Sequence, residues 1–144
     1  MIKLRIDVDY PYPSRAKSFL CVALRIKKKL SKNYLRNSRV IATMINESKK
    51  DLKACWFFTP YTVPDKELLD LLNPERHEVA LHVATNPNKE WKNLEKKTSG
   101  KIQYYTIHGT SHQLPNFLGQ HSLFLSVQKI KRNLFGVVCQ QHTD

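Results

Sequence analysis

Four short apolar segments, each followed by residues at helical spacing or by a turn, limit most strongly what these 144 residues can fold into. The first alternates: Ile2, Leu4, Ile6 and Val8 share one parity, and Lys3, Arg5, Asp7 and Asp9 share the other. Residues 53–59 form an aromatic and apolar run stopped by Pro60, with a third run at 78–83 and a fourth at 102–107. Short apolar runs bounded in this way read as strands. Between them, Ser14 can cap a helix whose inward stripe is Phe19, Leu20, Ala23, Leu24 and Leu30. Pro64 and Asp65 open a second helix, with Leu68, Leu69, Leu71 and Leu72 turned inward and Pro74 ending it. A third runs from Pro87 through Trp91 and Leu94 and closes at Gly100. Residues 40–45 fit a short strand and a helical turn equally. The order β-α-β-α-β-α-β predicts an α/β fold on a parallel sheet or barrel. Residues 123–127 and 134–138 add two candidate strands on either side of a basic turn.

One domain is expected over residues 1–144, of a size that buries a proper core. A hydrophobic fraction of 41% excludes wholesale disorder. The longest apolar run, at 19–24, falls far short of the roughly 20 residues of a membrane span. The first residues offer no signal-peptide core, so the expected location is cytoplasmic. Cys21, Cys55 and Cys139 lack C-x-x-C spacing and indicate neither a disulfide framework nor a cysteine zinc site.

The formal charge of +12 is concentrated in one region. Residues 14–50 hold eleven Lys or Arg against one acid, Glu47, leaving thirteen bases and eleven acids for the rest. The excess centres on Arg25, Lys27, Lys28 and Lys29, expected on the outer side of the first helix. Such a patch suits an anionic surface or polymer. Neither zinc-finger spacing nor an RRM-type aromatic signature accompanies it, so it forms no specific nucleic-acid motif.

Prolines 11 and 13 end the first strand, which places Asp7 and Asp9 at its C-terminal end. They share a face and stand roughly 7 Å apart. His82 lies near the end of the third run and His108 follows the fourth. In a parallel sheet these ends share one edge, where α/β folds commonly hold their chemistry. Carboxylate and imidazole suit zinc and related divalent metals. Parity also sets Arg5 beside Asp7, where it could pair with that carboxylate.

Three segments in register carry a family resemblance. Ile6-Asp7-Val8-Asp9, Ala54-Cys55-Trp56-Phe57-Phe58 and His77-Glu78-Val79-Ala80-Leu81-His82 resemble the polysaccharide deacetylase (NodB-homology) family. That family usually has an aspartate pair after its first strand, a K-A-T-F-F-like second strand and a G-H-E-I-x-x-H segment on the third. Residues 1–110 carry the resemblance, and residues 111–144 match poorly. It implies a partial or distorted (β/α) barrel, with Asp7 as catalytic base. It further implies Asp9 and His82 as ligands of a divalent metal, zinc first, and His77 as a non-ligand. The family's second metal histidine falls on Asn86 here, an amide with little affinity for transition metals. The family's arginine-proline segment is replaced by Thr106-Ile107-His108-Gly109-Thr110, where His108 could supply an imidazole. The later motifs that provide the general acid have no match before Asp144, as expected either of a shortened domain or of one whose C-terminal part is missing.

The expected function is metal-dependent hydrolysis of an N-acetyl or related amide on a saccharide. Two further readings stay open. One is an impaired or truncated domain that binds a saccharide or partner without hydrolysing it. The other is a basic polyanion-binding protein.

Overall fold

A computed structural model describes residues 2–27, 29–100, 102, 104–107 and 122–123. β1 (Ile2–Val8) leads through α1 (Arg15–Ala23) and α2 (Arg36–Glu47) to β2 (Leu52–Phe58). Next come α3 (Lys66–Leu71), β3 (His77–Val83), α4 (Pro87–Thr98), β4 (Tyr104–Ile107) and β5 (Ser122–Leu123). The ambiguous residues 40–45 are helical, because Ser38, Ala42 and Ile45 give α2 an inward stripe at helical spacing. Most of the two C-terminal candidate strands, 124–127 and 134–138, lies outside the described residues, as do His108 and Lys28.

All strand pairs among the described residues are parallel, and the spatial order is β1-β2-β3-β4-β5, the order of the chain itself. A doubly wound sheet reverses direction at its middle and so places helices on both faces. Among the described strands the direction does not reverse, and crossovers of one hand return to one face. The core agrees: Ile6, Val8, Ala54, Trp56, Phe58, Leu81, Val83 and Tyr105 pack with residues from all four helices, among them Cys21, Ala42, Ile45, Leu68, Trp91 and Leu94. The opposite face carries the other parity. Cys55, Phe57, Ala80 and Tyr104 form a small apolar cluster there, and Arg5, Asp7, His82 and Thr106 share its parity.

Capping follows the sequence closely. Ser14 accepts from Lys17 N, Asp65 from Leu68 N and Asn86 from Lys89 N, each supplying an oxygen to an otherwise open first turn. The residue in the left-handed conformation after α4 is Ser99, one position before the Gly100 expected to close the helix.

α1 departs from expectation in two ways. Its buried residues are Ser18 and Cys21, while Phe19, Leu20 and Leu24 face outward and Leu30, beyond its end, is also exposed. The Ser18 hydroxyl explains this rotation: it donates to Tyr12 O at 2.8 Å and accepts from Tyr12 N at 3.0 Å. Turning the apolar stripe inward would strip both buried backbone groups of their partner. The helix also ends before the basic run rather than carrying it. Ile26 N bonds Cys21 O, Arg25 N bonds Val22 O, and Arg25 takes φ 53°, which is a Schellman stop. Arg25, Lys27 and Lys29 therefore lie on a loop. No helix among the described residues is long and apolar enough to cross a membrane.

Candidate functional site

The C-terminal end of β1 is fixed before its carboxylates are reached. Thr62 Oγ1 donates to Val8 O and accepts from Thr59 N, tying the loop after β2 to the last residue of β1. Pairing aligns Val8, Phe58 and Leu81 in one row across three strands. Continuing that register by one residue puts Asp9 and His82 on either side of Thr59. Their side chains meet over it: His82 Nδ1 stands 3.3 Å from Asp9 Oδ1, with the imidazole buried and the carboxylate partly exposed.

That spacing has chemical meaning. Two ligands at roughly 2.0–2.1 Å from a tetrahedral zinc are separated by about 3.3–3.4 Å, the edge of the tetrahedron. Asp9 and His82 are spaced as two ligands in a divalent metal site would be, which is equally the spacing of a histidine–carboxylate pair. Among the described residues no group of three His, Cys, Asp or Glu side chains forms such a site. Asn86 sits outside it in role: its Oδ1 is engaged by Lys89 N as the cap of α4. His108 lies outside the described residues.

Asp7 lies two residues before Asp9 on the same face. Arg5 Nε donates to its Oδ1 at 2.9 Å, and the guanidinium stacks over Phe57, 4.8 Å from the ring centroid. The pair is largely buried on both sides, and a charge-assisted bond of that length fixes the carboxylate rotamer. Its second oxygen makes no hydrogen bond among the described residues. Farther down the same face Lys3 pairs with Glu78 at 2.8 Å. The opening strand thus alternates apolar residues toward the helices with a charged row toward the site.

Three residues of the site were not singled out in the sequence. Glu90, buried on α4, accepts from Ala84 N, Thr85 N, Thr85 Oγ1 and Asn86 N, all at 2.9–3.0 Å. One carboxylate thereby holds the turn that follows His82 and Val83. Its signal was an acid in the first turn of a capped helix, which sequence reasoning assigns to the helix dipole rather than to a loop. Thr106, opposite His82 in the β3–β4 pairing, buries an Oγ1 without a hydrogen-bond partner among the described residues. Thr59 completes the row between Asp9 and His82, and nothing in its composition sets it apart.

His77 is the other histidine of the third strand and has a structural place. It is buried on the helix-covered face, where its Nδ1 accepts from Trp56 Nε1 at 2.9 Å and its Nε2 meets Asn46 Oδ1 at 2.9 Å. Those partners require a neutral ring with the proton on Nε2. Burial, reinforced by the charge of Arg76, pushes its pKa down to about 4. Burial likewise pushes the Cys55 thiol up to about 12, with the Glu78 charge adding to the effect, so Cys55 is an inert packing residue.

Against known protein families, curated proteins and solved structures alike, the chain finds no match.

Proposed function

We propose that this chain is a polysaccharide deacetylase-like domain, a partial (β/α) barrel that hydrolyses an N-acetyl or related amide on a saccharide with a divalent metal, zinc first. The observation that supports this reading best is the 3.3 Å approach of Asp9 Oδ1, just past β1, to His82 Nδ1 on β3, two strands that do not pair with each other. The parallel sheet in chain order, helix-covered on one face, supports the barrel, since a barrel is such a sheet continued until it closes.

Asp9 and His82 would hold the metal, which when bound polarises the amide carbonyl and lowers the pKa of water. Asp7 is the base: its oxygen outside the Arg5 bond accepts the proton of the attacking water. Arg5 keeps that carboxylate turned toward the site through the bond to Oδ1. Glu90 fixes the turn behind His82, and Phe57 supports the guanidinium of Arg5.

The test is acetate release from N-acetylated oligosaccharides, read beside metal content. Asp7→Asn should slow release by about 10²–10⁴-fold with metal retained. Asp9→Ala and His82→Ala should each strip the metal. Unchanged metal content in both variants would remove this site. A second reading, saccharide binding without hydrolysis, is favoured by the engagement of Asn86 as a helix cap. Saccharide affinity by calorimetry, with neither acetate release nor bound metal, would establish it.

A further inference from the structure

α1 turns a complete apolar stripe to solvent. Ala16, Phe19, Leu20, Ala23 and its capping residue Leu24 follow the i, i+3, i+4, i+7, i+8 spacing that normally marks a buried face. Phe19 is 71%, Leu20 55% and Leu24 62% exposed. Leu30, also exposed, is brought back toward the start of the helix by its N–H bond to Tyr12 Oη at 2.6 Å. Single exposed apolar side chains are ordinary, but a contiguous set on one element marks an interaction surface.

The surroundings of the stripe say what kind of partner fits. Arg15 and Lys17 on α1 and Arg25 beside Leu24 are exposed, as are Lys27, Lys32 and Arg36 on the segment that follows, and no acid occurs between Ser14 and Asn46. Lys29 and Arg39 turn toward Asp65 and Glu67 instead, at 3.1–3.5 Å, on the α3 side. A polyanion such as nucleic acid would use the bases and leave Phe19, Leu20 and Leu24 in water. A second copy of the chain would cover the apolar residues but bring two strongly basic segments together. An anionic bilayer satisfies both groups at once, with headgroups for the bases and the acyl boundary for the apolar stripe.

We propose that α1 and the loop after it form a peripheral docking surface for an anionic lipid bilayer, with the helix lying in the plane of the headgroups. At nine residues the helix is too short to cross, and with Ser18 and Cys21 packed against the protein its exposed apolar stripe is the face left to lie on a surface. This proposal stands apart from the deacetylase reading, because it uses neither Asp7, Asp9 nor His82.

Co-sedimentation of the full chain with vesicles tests it. Vesicles of phosphatidylcholine with about one third phosphatidylglycerol should bind at least about tenfold more tightly than phosphatidylcholine alone. The triple variant Phe19→Ser, Leu20→Ser, Leu24→Ser should lose at least about tenfold on the anionic vesicles. Arg25→Gln with Lys27→Gln, at exposed loop positions, should weaken the same binding and keeps the test informative if the triple variant misfolds. The proposal is overturned by no binding, by equal binding to both vesicle types, or by a folded triple variant that binds as the parent does. It is also overturned if the parent ignores anionic vesicles but binds single-stranded DNA with steep salt dependence, or forms a dimer that the triple variant loses.

Discussion

A buried imidazole that both accepts from an indole and donates to an amide has only one protonation state available to it. His77 is in that position between Trp56 and Asn46, and its pKa falls from the ordinary 6.5 to about 4. Between those values the unfolded chain binds a proton that the folded chain refuses, so stability rises with pH across the window. Acidification from about pH 6.5 to pH 4 should therefore lower the urea midpoint, and His77→Gln should flatten that dependence. An identical slope in parent and variant would show that His77 does not contribute to it. Strand parity was enough to read Arg5 beside Asp7, because alternation is a property of the local chain. The partners of His77 were not legible, since Asn46 and Trp56 reach it from another helix and another strand. The meeting of Asp9 with His82 is intermediate: a common sheet edge was inferable, but their straddling of Thr59 depends on register.

Elements show the same division between local and distant causes. The caps at Ser14, Asp65 and Asn86 were legible because a side chain and an N–H three residues away form a closed local unit. The rotation of α1 was not. Periodicity placed Phe19, Leu20 and Leu24 inward, and one serine bonded twice to Tyr12 outweighed it. In α4 a single side chain holds the adjoining turn. Glu90→Ala would leave four donors of residues 84–86 without their acceptor, three of them backbone N–H groups. A loss of about 2–4 kcal/mol is expected in denaturant unfolding, since each lost buried partner costs about 1–3 kcal/mol and solvent recovers part of it at this exposed turn. Glu90→Gln, which keeps an acceptor oxygen, should cost less. Equal stability of the Ala variant and the parent would mean that the turn is held by other bonds.

Across the whole molecule, one sheet separates two chemical environments. Toward the helices, Trp56 and Phe58 stack with centroids 6.2 Å apart, and no part of either is exposed. Trp56→Ala should cost about 3–5 kcal/mol, a substantial share of the roughly 5–15 kcal/mol that holds a domain folded. A thermal unfolding scan within a few degrees of the parent would refute this. The alternation of strands and helices made the α/β class legible, whereas strand order depends on pairing that no single segment encodes. That order has a consequence for synthesis. A strand that always joins the one made before it finds its partner already outside the ribosome, with no gap reserved for a later arrival. Such a chain can be assembled in the direction in which it is translated, each new unit using the last as its template.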